Sequence, residues 1–347
     1  MIARATPPLS FTPMATSSDS GFVIGIDLGG TNMVAAAVSR DGGRVVGQQS
    51  EPTRAAEGAE AVVGRMAQMV ARAQAAVAEA GGAPDAVIGI GVGAPGTVDR
   101  ANGLVVEANN IKWYRHPLAA HLGAATGLPV RVDNDANCAT YGEWWLGAAR
   151  GGRNVIGVTI GTGIGGGIII DRHLYLGSTD AAGEIGHITI EANGRRCSCG
   201  NYGCLEAYAS GTAIAERARE ALRNAEPSQL LAMAGGDPAR ITAATVYQAA
   251  AQGDAVAAEV VRDTARFLGA GIASLVNIFN PDVVVLAGGV TQAGEGLFAP
   301  LRTEVRRRAF KSIADAARIV PGTLPGTAGV VGAAASFIAQ YTGHPPA

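Results

Sequence analysis

The chain of 347 residues carries one short pattern twice, and this repeat limits its possible folds more than any other feature. Residues 25–38 read GIDLGGTNMVAAAV, and residues 157–170 read GVTIGTGIGGGIII. In each copy, an apolar run typical of a buried strand reaches a glycine turn and is followed by a second apolar run. The alignment pairs Gly29 with Gly161. Such a repeat predicts a duplicated α/β fold with a cleft between the two copies.

Hydrophobic spacing places further elements around the two copies. We predict strands at residues 22–28, 33–38, 86–92, 128–133, 155–160, 168–170 and 282–287, with a glycine-rich turn at 161–167. We predict helices at residues 58–80, 210–223, 254–278 and 328–340, and one that follows the DNDAN segment and ends near Leu146. The expected organisation is a disordered tail (1–20), an N-terminal α/β domain (21–133) completed by the C-terminal helix (about 328–343), and a larger C-terminal α/β domain (134–327).

Lysine is nearly absent, which excludes two common ways of handling phosphate. The chain holds only Lys112 and Lys311, and neither belongs to a Walker A loop or to the motif set of a protein kinase. Its 27 basic and 29 acidic residues give a net charge of −2, so a strongly basic nucleic-acid binder is not expected. Phosphate chemistry in this chain would therefore depend on backbone amides, metal ions and arginine.

The N-terminal segment and the cysteines bear on location. Residues 1–20 are rich in Pro, Ser and Thr and lack the apolar core of a signal peptide, and Met14 is an alternative start. No run of 18 apolar residues is present, so a membrane span is not expected. Three of the four cysteines cluster at metal-ligand spacing rather than as disulfide partners. We expect a cytoplasmic protein that binds neither membranes nor nucleic acid.

Two segments, residues 91–96 and 161–166, match the dinucleotide-binding pattern G-x-G-x-x-G. That pattern requires a helix directly afterwards, but the first segment contains a proline and the second runs into a β-branched stretch. A glycine hairpin between two strands can instead present its amides to phosphate. Asp27, just before the first turn, would repel phosphate unless Mg²⁺ lay between them. The alternative is that both hairpins are simply tight turns.

The DNDAN segment, residues 133–137, holds the strongest candidate for a catalytic residue. It lies between a strand and a helix, so Asn134 or Asp135 could simply cap that helix. Two aspartates, Asp133 and Asp135, at one strand end are costly unless a ligand or an ion is present. We expect the helix dipole to keep Asp135 ionised, so that it can accept a proton from an alcohol.

Residues 197–206 read CSCGNYGCLE and carry the most specific signal in the chain. Cys197, Cys199 and Cys204 form a Cys₃His set with His187, and such a set is typical of structural zinc. Free thiols or a redox pair are the alternatives, although Cys-x-Cys is not the redox spacing Cys-x-x-Cys.

Further polar and buried residues lie near this set along the chain. Glu184 and Glu206 flank it, and carboxylates with an imidazole suit a sugar because each hydroxyl both donates and accepts hydrogen bonds. The alternative is that the two glutamates are ordinary surface carboxylates. Cys138 is expected to be a core residue of the helix that follows the DNDAN segment.

Taken in order, these motifs resemble the ROK family of sugar kinases, and within it the bacterial glucokinases. The matching segments are GIDLGGTN (25–32), GAPG (93–96), DNDAN (133–137), TIGTGIGGG (159–167), EIGH (184–187), CSCGNYGCLE (197–206) and VVLAGGV (284–290). The resemblance covers residues 22 to about 340. It implies an actin-like ATPase fold (ribonuclease H-like, with two α/β domains and a cleft) and transfer of the γ-phosphoryl group of ATP to the 6-hydroxyl of glucose.

The resemblance also implies roles for single residues. Asp135 would be the general base. The sugar would be held by Gly96, Asn109, Asn134, Asp135, Glu184, His187 and Glu206. The nucleotide, with Mg²⁺, would be held by Asp27, Gly29, Gly30, Thr31, Asn32, Thr162, Gly163, Gly288 and Gly289. The structural zinc would be bound by His187, Cys197, Cys199 and Cys204, and the chain would form a homodimer.

Alternatives within the family stay open at this point. N-acetylmannosamine, N-acetylglucosamine or fructose could take the place of glucose, and polyphosphate that of ATP. Other members of the family are sugar-sensing repressors with an N-terminal helix-turn-helix domain. Only about 20 residues precede the first predicted strand here, which is too few for such a domain.

Overall fold

A computed structural model describes residues 21–83, 85–223 and 228–346. Its strands are β1 (Phe22–Leu28), β2 (Asn32–Ser39), β3 (Val45–Pro52), β4 (Val87–Ala94), β5 (Thr97–Asp99), β6 (Leu104–Ala108), β7 (Trp113–His116), β8 (Val130–Asn134), β9 (Val155–Ile160), β10 (Ile164–Ile170), β11 (His173–Leu174), β12 (Val283–Ala287) and β13 (Arg318–Pro321). Its α-helices are α1 (Ala59–Glu79), α2 (Leu118–Thr126), α3 (Asp135–Trp145), α4 (Glu206–Ala209), α5 (Gly211–Leu222), α6 (Leu230–Met233), α7 (Ala243–Ala251), α8 (Ala255–Phe279), α9 (Glu295–Arg308), α10 (Lys311–Ala316) and α11 (Ala328–Thr342). The predicted disordered tail at 1–20, with Met14, lies outside the described residues.

The strands form two five-stranded sheets with the same pattern of pairing. The first has the order β3-β2-β1-β4-β8, and the second has the order β11-β10-β9-β12-β13. In each, a central strand pairs antiparallel with the strand that follows it and parallel with a strand from much later in the chain. The glycine turns join Leu28 to Met33 and Ile160 to Ile164 as paired residues. The predicted duplicated α/β fold is confirmed.

Helices α3 and α11 lie together between the sheets and join them. Their apolar side chains share one buried cluster with strands of both sheets. The two helices touch through glycines, because a Cβ on Gly332 would lie 1.6 Å from the carbonyl oxygen of Cys138. A Cβ on Gly142 would lie 2.1 Å from the carbonyl oxygen of Ala328. Only glycine permits this approach, and it fixes the middle of α3 against the first two turns of α11.

The second glycine turn is shorter than predicted. The sequence placed the turn at 161–167, whereas β10 already begins at Ile164 and the turn is confined to 161–163. The glycines that follow belong to the strand because α3 packs directly on it. A Cβ on Gly167 would lie 2.6 Å from Thr140 Oγ1, and a Cβ on Gly165 would lie 2.7 Å from Ala136 Cβ. They therefore mark a close approach of strand and helix rather than a turn.

The other predicted strands and helices are present with their ends shifted by a few residues. Cys138 is fully buried on α3, as predicted. The prediction missed the small sheet β5-β6-β7, whose strands are short, and the edge strand β3, which has no buried residue and lacks a clear apolar period. The described part of the chain contains no helix with the length and hydropathy that a membrane crossing requires. The boundaries given for the two domains stay a prediction.

Candidate functional site

The start of α3 places the central carboxylate of the site. Asn134 ends β8 and caps the helix, because its Oδ1 accepts hydrogen bonds from the backbone N–H groups of Ala136 at 2.9 Å and Asn137 at 3.1 Å. Its Nδ2 donates to the carbonyl oxygen of Gly96 at 2.9 Å. The capping interpretation of the sequence thus holds for Asn134, and the cap sets Asp135 in the first helical turn.

The negative charge of Asp133 is compensated by neighbouring residues inside the protein. Its carboxylate is 1% exposed and lies 3.1 Å from Nε of Arg100, and it accepts a hydrogen bond of 2.5 Å from the hydroxyl of Ser336 on α11. The sequence argument treated the two aspartates of DNDAN as a pair that needs a ligand. The structure corrects this, because Asp133 is neutralised inside the protein and only Asp135 faces open space.

Asp135 lies where two cavities meet. The first, of about 430 Å³, is lined by Asp27, Asp135, Ala136, Ala139, Glu143, Thr159, residues 287–289, Thr291, Gln292, Gly322 and residues 324–329. The second, of about 210 Å³, is lined by Gly96, Thr97, residues 134–137, Gly165, Gly166, residues 180–184 and His187. Among these lining residues, Asp135 is the one titratable side chain common to both cavities. A group bound in either cavity would therefore meet the same carboxylate.

The carboxylates at this junction hold their protons more tightly than usual. Burial raises the pKa of Asp135 to about 7, and the nearby charge of Asp27 adds to the rise. Burial likewise raises the pKa of Asp27 to about 6. The sequence argument expected the helix dipole to keep Asp135 ionised, whereas in the structure burial and the like charge of Asp27 raise its pKa more than the backbone hydrogen bond from Ala136 lowers it. A divalent cation between the two groups would relieve the repulsion.

The cysteine loop brings together the predicted zinc ligands. The ligand atoms of His187, Cys197, Cys199 and Cys204 all lie within 4.8 Å of one another. The Sγ atoms of Cys199 and Cys204 are 3.7 Å apart, and Cys197 Sγ is 3.7 Å from His187 Nδ1. Tetrahedral zinc with Zn–S bonds of about 2.3 Å separates its sulfurs by about 3.8 Å. The four residues therefore fit a closed zinc site with no position left for water.

His187 connects this cluster to the second cavity. Its Nδ1 faces Cys197, while its Nε2 lies 4.0 Å from a carboxylate oxygen of Glu184, which also lines the cavity. Binding of Nδ1 to a metal would leave the proton on Nε2, as a donor toward the cavity. The side chain of Glu184 is 52% exposed at the rim of this cavity. The imidazole ring of His187 thus belongs both to the predicted zinc ligands and to the lining of the second cavity.

Several predicted site residues line neither cavity. Glu206 accepts a hydrogen bond of 2.8 Å from the backbone N–H of Ile164, just after the second glycine turn, and one of 3.3 Å from the hydroxyl of Ser198 in the cysteine loop. Asn109 is exposed and bonds Glu107 and Tyr114. The turn residues Gly29, Gly30, Thr31, Asn32, Thr162 and Gly163 also lie outside both linings. Their contact with a ligand stays a prediction.

The cavities also include residues that sequence reasoning missed. Thr97, Asn137 and Asp180 line the second cavity, and residues 324–329 line the first. Asn137 belongs to the DNDAN segment, so it was visible but had no role. The stretch GTLPGTAG (322–329) has the Gly, Pro and Thr composition of a loop between a strand and a helix, which is a usual place for ligand contacts.

Characterised proteins resemble this chain over nearly its whole length. The glucokinase of Thermotoga maritima is 37% identical over 322 residues, which cover 92% of this chain and 98% of that protein. The glucokinase of Streptomyces coelicolor is 37% identical over 321 residues, with 90% and 96% covered. The xylose repressor of Caldicellulosiruptor bescii is 32% identical over 332 residues, with 96% and 82% covered.

Solved structures also resemble this chain over nearly its whole length. A ROK family glucokinase from Streptomyces griseus, in complex with glucose and AMPPNP, is 38% identical with a TM-score of 0.78 and covers 90% of this chain and 98% of its own. A ROK hexokinase from Thermus thermophilus is 34% identical with a TM-score of 0.77, with 92% and 99% covered. These neighbours confirm the expected actin-like ATPase fold. The ROK family model matches residues 23–340, and the chain belongs to the ROK family.

Proposed function

We propose that this chain is a glucokinase that transfers the γ-phosphoryl group of ATP to the 6-hydroxyl of glucose. The observation that carries the proposal is the position of Asp135, whose carboxylate borders two cavities of different chemistry. Glucokinases that match nine-tenths of the chain or more support the same activity. The location in the cytoplasm and the homodimer stay predictions.

The second cavity suits the sugar. Asn134, Asn137, Glu184 and His187 line it with amide, carboxylate and imidazole groups, and Gly96 also lies in the lining. Sugar hydroxyls donate and accept hydrogen bonds at once, so a mixed set of this kind recognises them. A structural zinc held by the Cys₃His set would fix the orientation of His187 and leave its Nε2–H to a sugar hydroxyl.

The first cavity suits the phosphates of a nucleotide that arrives with Mg²⁺. Gly288, Gly289 and the start of α11 offer backbone N–H groups. Of the described residues that line it, three are carboxylates and none is basic. Phosphates alone would be repelled there, whereas Mg²⁺ held by Asp27 would neutralise charge on the phosphate oxygens.

A third cavity adjoins the first and suits the base. It measures about 610 Å³, shares Gly289 and Gln292 with the first cavity, and its apolar lining comes mainly from alanines of α7, with Ala258 and Val261 of α8. The hydroxyl of Tyr247 in this lining is buried and has no hydrogen-bond partner among the described residues. Mainly apolar walls with a few polar side chains (Tyr247, Gln248, Arg262 and Gln292) fit a purine ring.

The reaction follows from this arrangement. Asp135, deprotonated, accepts the proton of the 6-hydroxyl as that oxygen forms a bond to the γ-phosphorus and the bond from phosphorus to the ADP oxygen breaks. Phosphoryl transfer needs mainly positioning and charge stabilisation, and the protein supplies both through one rigid helix and two glycine-lined cavities. Asn134, locked by three hydrogen bonds, keeps Asp135 in place.

A coupled assay with a panel of acceptors and donors tests the proposed function. We expect glucose with ATP and Mg²⁺ to give the highest kcat/KM among glucose, fructose, N-acetylmannosamine and N-acetylglucosamine, with ATP preferred to polyphosphate. A higher kcat/KM with another pair would replace glucose or ATP in the proposal. Absence of phosphorylation together with sugar-dependent DNA binding in a gel shift would favour a repressor instead.

The raised pKa of Asp135 predicts a pH dependence. As a base, the carboxyl must be deprotonated, so kcat/KM for glucose is expected to fall about tenfold per pH unit below pH 7. Asp27→Asn removes the like charge and should move this acidic limb to lower pH, at reduced overall activity. The measurement is kcat/KM from pH 5 to 9 for both proteins. A limb that stays in place in Asp27→Asn would contradict the coupling of the two carboxylates.

A further inference from the structure

Glu143 is a buried carboxylate on the same helix as Asp135, and the reaction described above does not use it. It lies near the end of α3, it is 1% exposed, and it lines the first cavity. A carboxylate in such a place is costly unless its oxygens accept hydrogen bonds. Its partners therefore indicate its role.

Three backbone N–H groups donate to this carboxylate. Oε2 accepts hydrogen bonds from Ala148 at 2.9 Å and from Thr323 at 3.0 Å, and Oε1 accepts one from Leu324 at 2.9 Å. Ala148 lies in the turn after α3. Thr323 and Leu324 lie in the 322–327 segment, which connects β13 to α11. One side chain thus holds two separate loops together.

Glycines on both loops leave room for the carboxylate. A Cβ on Gly147 would lie 2.1 Å from Oε2 of Glu143, and a Cβ on Gly322 would lie 2.6 Å from its Oε1. Any side chain at either position would push the carboxylate away from the N–H groups. Glycine at positions 147 and 322 therefore allows the Glu143 carboxylate to reach the backbone N–H groups of both loops.

The 322–327 segment is part of the first cavity. Gly322, Leu324, Pro325, Gly326 and Thr327 all line it. The segment leads directly into α11, whose Gly329 would place a Cβ only 2.3 Å from Oδ2 of Asp27. The position of this side of the cavity, relative to both aspartates, consequently depends on the hydrogen bonds of Glu143.

We propose that Glu143 is a positioning residue for the nucleotide: its carboxylate holds the 322–327 segment in the place where this segment contacts ATP. The inference rests on the proposed function, which assigns ATP to the first cavity. Residues 135 and 143 are separated by a rise of about 12 Å along α3. The same helix thus carries the base that faces the acceptor and the group that fixes the donor cavity.

Two possible roles for Glu143 predict opposite effects of Glu143→Gln on the affinity for the nucleotide. If Glu143 were only a negative charge near phosphates, its neutralisation would tighten nucleotide binding. If it positions the loop, the glutamine NH₂ would face a backbone N–H donor and leave it without an acceptor. Nucleotide binding would then weaken although a negative charge has been removed.

The test is calorimetric titration of the purified protein with AMPPNP in the presence of Mg²⁺, and separately with glucose. For Glu143→Gln we expect the Kd for AMPPNP to rise about tenfold or more, while the Kd for glucose changes less than about twofold. The KM for ATP should rise by a similar factor, with a smaller loss in kcat. Failure of the wild-type protein to bind AMPPNP would count against the proposed function itself.

Asp254→Asn is the matched control. Asp254 is also a buried carboxylate, and it accepts hydrogen bonds from the backbone N–H groups of Ala257 and Gln229, but it lines none of the three cavities. The same acid-to-amide change there should lower the Tm and leave both affinities unchanged. This variant shows how the loss of a hydrogen bond to the backbone changes the Tm and the affinities when the carboxylate lines none of the cavities.

Three results would overturn the inference: unchanged AMPPNP affinity in Glu143→Gln, tighter AMPPNP binding, or an equal loss of AMPPNP and glucose affinity. If Glu143→Gln does not fold, Gly322→Ala replaces it, because its added methyl group displaces Oε1 of Glu143 without changing any charge. The same selective loss of AMPPNP affinity is expected there, and its absence would equally overturn the inference.

Discussion

Asp135→Asn is expected to lower kcat by about 10²- to 10⁴-fold, the usual range for a lost general base, while glucose still binds. Asparagine has nearly the same shape and keeps the first turn of α3, but it cannot take up a proton from the sugar hydroxyl. The raised pKa of about 7 means that the wild-type carboxyl exchanges its proton close to neutral pH. Steady-state kinetics with glucose and ATP measures the loss, and calorimetry measures glucose binding.

The stability of the same variant provides the control for folding. The pKa of Asp135 is raised from 3.8 to about 7 in the folded protein, so the folded state binds more protons than the unfolded state between these values. Asp135 therefore makes the wild-type protein lose stability as pH rises through this window, and Asp135→Asn lacks this contribution, whereas Asp27 contributes to both proteins. We expect the variant without ligand to have the higher Tm at pH 8 and a similar Tm near pH 4. A kcat close to wild type would remove Asp135 from the role of base.

Cys199→Ser is expected to abolish zinc binding and to weaken glucose binding about tenfold or more. Cys199 is exposed, so its replacement removes a thiolate with little loss of packing. A structural zinc contributes folding free energy directly, and three remaining ligands hold it far less tightly. Loss of the ion frees His187 from its fixed orientation and loosens the loop that contacts Glu206 through Ser198.

Zinc content by mass spectrometry of the purified protein, Tm and KM for glucose check this prediction. Cys138→Ala is the matched control, since Cys138 is a buried cysteine on α3 outside the metal set and its loss should leave the zinc content unchanged. Full zinc content in Cys199→Ser would show that the Cys₃His set is not the site. Loss of zinc with an unchanged KM for glucose would separate the metal from the sugar cavity.

Sequence reasoning found the parts of the site that local chemistry determines. The DNDAN segment places an asparagine cap before a helix, so the position of Asp135 followed from capping alone. The Cys₃His set is compressed into one loop and its upstream histidine, so spacing was enough to predict that the four ligands meet. The strands on either side of the two glycine turns could be predicted because hydrophobic runs flank both turns.

Contacts between residues far apart in the chain, and the pKa shifts that depend on them, could not be predicted from the sequence. Nothing in the sequence near Asp133 indicates that Arg100 neutralises its charge and that Ser336, far away along the chain, donates a hydrogen bond to it. The pKa of Asp135 depends on burial and on Asp27, which only the packed structure brings close. The glycines at 165–167 read as a turn, because the helix that packs on them lies earlier in the chain and its contact leaves no local pattern.

The glycine-mediated contact between α3 and α11 has a consequence for folding. Helix α11 comes far later in the sequence than β1 and β4, yet it packs on both of these strands of the first sheet and lies against Asp27. A chain in which this helix has not yet packed would expose the apolar face of its first sheet and hold an incomplete cleft. Contacts between segments so far apart in the sequence form slowly, so we expect the cleft to be completed late in folding.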